Sequence, residues 1–402
     1  MKSYLFVMLA LASAGPVPSA ESDVDLDSVI VTATRTPEPV DQALASVSVI
    51  TRADIERLQP HSVAELLAGL PGVSIANDGG LGKATSVFLR GTEADEVLVL
   101  IDGIRVGSAT TGTTAFEQLP VDQIERIEIV RGPRSSLYGS DAIGGFIQIF
   151  TRRDEGTLTP SLSLSGGTYA TWQGQAGLSG GDAHSWYSVS AAGLHTDGFP
   201  ACRGAGAPIF AGSFVYPPTG DDGYWNDSGS IRGGYRFDNG VELSADWLRV
   251  YGDTQYDGDV VNSSKVVQQV LGGTAKLPTL GLWHSSLTAG QSQDDSNDYW
   301  NGLYVDTFDT HRDSASWQNE FALAPQQQLI AGLDYLEDHL VSTTPYPVTS
   351  RQDVGLFMQY QGGFGPAEVQ LSLREDHDQQ YGGPSGLWCD PCKKRECLLR
   401  RG

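Results

Sequence analysis

The sequence predicts a compact α/β domain followed by an antiparallel transmembrane β-barrel, and three observations carry that reading. Residues 97–153 hold short apolar and alternating runs broken by glycine-rich turns, the pattern of a mixed α/β unit. From residue 154 onward the pattern becomes two-residue alternation in runs of about ten residues, joined by tight turns and by long polar loops. No segment is apolar for long enough to cross a bilayer as a helix, so any membrane crossing falls to strands.

Composition narrows the function classes. With 26 basic and 49 acidic residues the net charge is −23, which argues against nucleic acid as a partner, since that needs a basic surface. The acidic surplus suits either cation-binding loops or a solvated surface. The 48 glycines and 9% aromatic residues fit strands and turns. The chain has no GxSxG, HExxH or P-loop pattern and is read as a non-enzyme with no catalytic residues.

The elements follow in order. Residues 1–20 form a secretory signal peptide: Lys2, an apolar run from Tyr4 to Ala14, then small residues, with cleavage after Ala20 or near Ala12-Ser13-Ala14. Residues 21–39 are polar and acidic and are expected to be extended and mobile rather than packed. Within them lies one β-branched island, Asp27, Ser28, Val29, Ile30, Val31, Thr32 and Ala33. An isolated run of this kind can add a strand to the edge of another sheet, or pack as a first strand of its own domain.

Residues 40–153 form the α/β domain. Ser46 to Ile50 alternate as a strand, and Thr51 caps a helix that begins near Arg52. Ser62 and Glu65 have capping-box spacing ahead of a helix running through Leu70 to Pro71-Gly72. Val73 to Ala76 and Val87 to Thr92 are short strands flanking the glycine-rich loop 77–82. Val97 to Ile101 is a buried strand closed by Asp102-Gly103, and Ile124, Ile127 and Ile129 alternate with charged residues apart from one slip. Arg131 to Arg134 is a turn, Ser135 to Gly139 a helical turn, and Phe146 to Phe150 a final strand.

The motifs LPGV, FLRG, IDGIRV and IERIEIVRGPRSSLYGSDAIGG, in this order, closely resemble the plug domain of TonB-dependent outer-membrane receptors, and within them the cobalamin branch. The island DSVIVTATR resembles the family's TonB box. The resemblance implies that residues 27–33 lie in the periplasm and are pulled by a TonB-type energy-transducing protein. It implies that the loops 77–86 and 107–118 face outward and touch ligand. Counting from the shared motifs places Ala84, Ser86, Glu93, Thr111 and Gly112 at ligand-contact positions, of which only Ser86 keeps the implied residue type.

Residues 154–385 give about eleven strands by their alternation and turn signals. The family resemblance implies a closed barrel of about twenty-two, so about half is present, with two open edges that are costly in hydrocarbon. Residues 386–402 read GLWCDPCKKRECLLRRG, where alternation stops and three of the four cysteines and five basic residues collect. This tail is expected to stand outside the barrel, as after a frameshift or premature stop. Its single CxxC lacks the partners of a zinc site or a redox fold.

Acidic residues on two loops, Asp221 and Asp222 on one and Tyr256, Asp257 and Asp259 on the other, could supply oxygens to calcium. The cobalamin branch implies calcium in loops of this kind, although Pro200 stands where that branch places an aspartate. The implied function is energy-dependent uptake of cobalamin across the outer membrane of a Gram-negative bacterium. The alternatives are a receptor for siderophores or other metal chelates, and a truncated receptor that does not transport.

Overall fold

The computed structural model describes residues 30–32, 34–40, 43–153, 156–201, 220–258, 260–365 and 367–379. The expected signal peptide, Asp27 to Val29, Ala33, Asp259 and the 386–402 tail lie outside them.

The first described strands, β1 (Ile30–Val31) and β2 (Glu38–Pro39), pair antiparallel. Val31, Thr34 and Thr36 are buried here, which corrects the expectation of an unpacked segment over 21–39. The described part is a packed element, because it lies between the α/β domain and the barrel wall.

The α/β domain is built on a five-stranded sheet. It comprises β3 (Ser46–Ile50), β6 (Val97–Ile101), β7 (Ile104–Val106), β8 (Ile124–Arg131) and β9 (Gly145–Thr151), in the order β3-β8-β9-β6-β7. Only β6 and β9 pair in parallel. A separate hairpin joins β4 (Val73–Asn77) and β5 (Thr85–Leu89). Three short helices complete the domain: α1 (Arg52–Leu58), α2 (Val63–Leu67) and α3 (Ser135–Tyr138).

The unbroken apolar run of β6 has a physical cause: the sheet is covered on both faces. Val97, Val99 and Ile101 pack with Ile127, Ile129, Ile147 and the helix residues Ile55, Val63 and Leu67. Leu98 and Leu100 pack on the other side with Val130, Phe146, Leu137 and Val31. Both cores extend into the barrel wall, one through Leu248, Val250 and Val270, the other through Ile330 and Phe357. The slip in the β8 alternation is a β-bulge. Ile124 and Arg126 face Thr151 and Phe150, neighbours in β9, so Glu125 is the extra residue. The Asp102-Gly103 turn has positive φ at both residues, 48° and 89°, as a type I′ hairpin requires.

Local details differ from expectation. Thr51 and Asp54 form the reciprocal capping box, on α1. At α2, Ser62 Oγ accepts the Glu65 N–H, but the Glu65 carboxylate takes the N–H of His61 instead, and the helix ends at Leu67 rather than reaching Leu70. β5 begins at Thr85 and stops at Leu89, because Arg90 and Gly91 both turn to positive φ.

The remaining eleven strands form one antiparallel sheet in sequential order. They are β10 (Thr159–Gly166), β11 (Trp172–Gly181), β12 (Ser185–Thr196), β13 (Tyr224–Arg236), β14 (Glu242–Gln255), β15 (Ser263–Leu280), β16 (Trp283–Trp300), β17 (Leu303–Ala324), β18 (Gln327–Ser342), β19 (Ser350–Phe364) and β20 (Ala367–Asp378). The count matches expectation and the lengths do not. β17 runs 22 residues, roughly 70 Å at the usual rise, against a hydrocarbon core of about 30 Å. The connection from β14 to β15 is accordingly short, from Gln255 to Ser263. β10 and β20 are not paired with each other, so the sheet is an open wall. Its outer face carries Tyr187, Val189, Leu333 and Tyr335, all exposed. Its inner face turns Ser188, Ser190, Ser230 and Asp338 toward the α/β domain, where they are buried. That is apolar-out, polar-in alternation.

Candidate functional site

Two regions join the α/β domain to the wall through polar groups. The first begins within the 27–33 island, at Thr32, and continues past it to Arg35. Thr32 donates its backbone N–H and its hydroxyl to Glu128 Oε2, both at 2.8 Å, and its hydroxyl also reaches Gln148. Glu128 is fully buried on β8 and pairs with Arg126 at 2.9 Å. A buried carboxylate is tolerated only when its acceptors are filled in this way.

Three residues further on, Arg35 has a positive φ of 65°, which turns its side chain toward the wall. Its guanidinium meets Asp334 of β18 at 2.8 and 3.0 Å, a fork-on-fork arrangement, and donates to the Leu137 carbonyl. It lies over the rings of Tyr138 and Phe357, at 4.5 and 4.1 Å from their centroids. Arg374 of β20 holds the same Asp334 at 2.6 Å, so one carboxylate bridges two guanidinium groups. Burial pushes the Tyr138 phenol well above its ordinary range. A cavity of about 210 Å³ opens beside this cluster, lined in part by Thr32, Arg35, Arg105, Asp353 and Arg374.

A second tie lies at the Asp102 turn. Asp102, nearly fully buried, accepts from Arg232 of β13 at 2.6 Å and from the hydroxyl and N–H of Thr151.

The opposite end of the domain holds the expected ligand positions. Ala84 is exposed at the end of the 78–84 loop, where its carbonyl accepts from Asp78 N–H. Ser86 is half-buried in β5, opposite Ala76. Glu93 is exposed and caps the 3-10 turn Ala94–Glu96. Thr111 is exposed, its hydroxyl on that of Thr113. A Cβ on Gly112 would lie 2.7 Å from that of Asp95, so the 93–96 turn and the 107–118 loop touch. Glu117 joins these groups by accepting the Thr85 N–H at 3.1 Å. Burial of its carboxyl pushes Glu117 up to about 8.

Beside this surface lie the acid-bearing loops of the wall. Asp221 is exposed, Asp222 is buried and accepts from Ala201 N–H at 2.9 Å, and Asp257 is half-buried. Burial raises Asp222, with Asp257 and Asp221 repelling it and Lys83 attracting it. Tyr256 does not turn to the acids; its hydroxyl bonds Ser264. Among the described residues no three His, Cys, Asp or Glu side chains form a metal-binding group.

Arg35, Glu128, Asp334, Arg374, Lys83 and the Asp102–Arg232 pair were not singled out as site residues from the sequence. One local signal existed: Glu128 sits within the IERIEIV strand, a charge where a two-faced core leaves no water.

Residues 39–146 match the family model of the TonB-dependent receptor plug domain. The vitamin B12 transporter BtuB of Photobacterium profundum is 30% identical over 352 residues, covering 87% of this chain and 56% of that protein. The vitamin B12 transporter of Vibrio vulnificus is 30% identical over 366 residues, covering 84% and 55%. In structure, the ferric enterobactin receptor PfeA of Pseudomonas aeruginosa superposes with a TM-score of 0.69 at 19% identity, covering 84% of this chain and 58% of that one. The siderophore receptor PirA of Acinetobacter baumannii gives 0.68 at 18%, covering 85% and 58%. The chain thus spans about half the length of the curated relatives it matches, 56% of the first. With the plug motifs, the two-sided plug sheet and the receptor-type wall in agreement, the chain belongs to the TonB-dependent receptors, its residues 39–146 forming the plug domain.

Proposed function

We propose that the chain serves as an outer-membrane receptor for energy-dependent uptake of cobalamin or a related large ligand, driven through residues 27–33 by a TonB-type protein in the periplasm. The observation that carries this reading is the clasp that starts at Thr32, inside the island, and ends at Arg35, just past it. Thr32 is bound to the plug through Glu128, and Arg35 to the wall through Asp334. Tension on residues 27–33 therefore acts first on the plug sheet, through Glu128 of β8, and then on the wall contact at Asp334. The ligand class is supported by the relatives named as vitamin B12 transporters, at 30% identity. The likeness to siderophore receptors, at 18–19% identity, bears on fold alone.

The ligand assignment is tested by competition on the purified chain. Labelled cyanocobalamin is expected to bind and to be displaced by unlabelled cobalamin but not by a ferric catecholate. Displacement by the ferric chelate, or no cobalamin binding at all, overturns it.

A further inference from the structure

We propose that Lys83, carried by the plug, is the resident cation of the acidic barrel loops, taking the charge-neutralising place that family resemblance gives to calcium. Lys83 is 2% exposed. Its ammonium has three protons and three oxygen acceptors within reach, on three different segments. These are the Leu81 carbonyl of its own loop at 3.0 Å, the Gly223 carbonyl just before β13 at 3.3 Å, and Thr254 Oγ1 of β14 at 3.2 Å. Thr254 returns a hydrogen bond to the Gly82 carbonyl at 2.9 Å. The Tyr224 ring lies 5.9 Å from the ammonium. Such saturation makes a buried lysine tolerable.

The surroundings show what that charge serves. Lys83 attracts Asp222, which is repelled by Asp257 and Asp221. The Gly223 carbonyl that the ammonium holds at 3.3 Å is next in sequence to Asp222, which sets the ammonium beside that acid. The donor set does not fit an ion-centred site. Asp222 Oδ2 takes the Ala201 N–H, Tyr256 points to Ser264, and no group of three ligating side chains occurs among the described residues. The remaining contacts make the lysine a pin as well. A Cβ at Gly79 would lie 3.4 Å from that of Ala201, and one at Gly80 would lie 3.1 Å from the Phe199 ring, so the plug loop meets the barrel chain at Phe199 and Ala201. The plug thus holds the described ends of these barrel loops, at Phe199, Ala201, Gly223 and Thr254, from inside. This inference stands apart from the ligand and transport readings.

The test uses the full chain in detergent, with thermal unfolding followed in millimolar calcium and in chelator, and calcium calorimetry alongside. The wild type is expected to unfold at the same midpoint in both conditions and to give no calcium heat. Lys83→Met and Asp222→Asn are each expected to lower the midpoint by a few degrees, and the double variant to lose less than the sum of the two. A calcium-dependent rise in the wild type overturns the proposal, and that arm needs no variant to fold. Losses from Lys83→Met and Asp222→Asn that simply add overturn it too, because independent sites add and coupled ones do not.

Discussion

Arg35 and Asp334, 299 positions apart, form a two-bond ion pair at 2.8 and 3.0 Å that fastens the plug's N-terminal segment to the barrel wall. Both side chains are largely withdrawn from solvent, at 10% and 17% exposure, so the pair is weakly screened. Asp334 also keeps Arg374 at 2.6 Å, so losing Arg35 does not strand a lone buried charge. Arg35→Ala should therefore cost about 1.5–3 kcal/mol, the range for a charge-assisted hydrogen bond, rather than the larger cost of an unpaired ion. Denaturant unfolding gives the magnitude. Labelling of a cysteine placed at Thr36, now 4% exposed, should speed up in the Arg35→Ala background.

Glu128 secures the residue at the island's edge. Glu128→Ala leaves the Thr32 N–H inside without an acceptor, at a cost of about 1–3 kcal/mol. Glu128→Gln keeps an acceptor oxygen and should cost less. Hydrogen exchange at the Thr32 amide separates the two variants, with faster exchange expected in Glu128→Ala.

Gly82 is required by a neighbour. A Cβ there would fall 2.1 Å from the Tyr224 ring, at a backbone φ of +74°. Gly82→Ala should push Tyr224 off its hydrogen bond to the Glu117 carbonyl and destabilise by about 1–3 kcal/mol. Tyrosine fluorescence and denaturant unfolding check both effects, while Gly91→Ala, where nothing lies within 4 Å, isolates the backbone strain alone.

The Glu117 carboxyl gives a pH signature. Its pKa rises from 4.5 to about 8, so between these values the folded chain holds a proton that the unfolded chain has lost. The stability this contributes is complete below pH 4.5 and is lost as pH rises through 8. Glu117→Gln should flatten that decline. Unfolding midpoints measured across the window, wild type against variant, should converge at the acidic end and separate at the alkaline end.

What the sequence made legible was local. The VLVLI run marked a buried strand, and the slip in the alternation of 124–129 falls where the structure has its bulge. Ser188 and Tyr187, or Asp334 and Leu333, displayed the inside and outside of the wall as neighbouring letters. The positions of the plug loops followed from motif spacing. What escaped depends on pairing across the chain: Arg35 with Asp334, Lys83 with Gly223, Asp102 with Arg232. Periodicity records which face a residue occupies, not which distant partner meets it there. Strand length escaped for a related reason, since the polar stretch 291–298 of β16 carries no apolar alternation and is held as strand by its neighbours' backbone bonds.

The central claim is that force on residues 27–33 drives uptake while the outer loops alone bind ligand. The most direct test compares labelled cobalamin binding and uptake in cells carrying the intact chain and a chain lacking residues 27–33. The account predicts that the deletion abolishes uptake and leaves binding unchanged. Uptake that survives the deletion would contradict it.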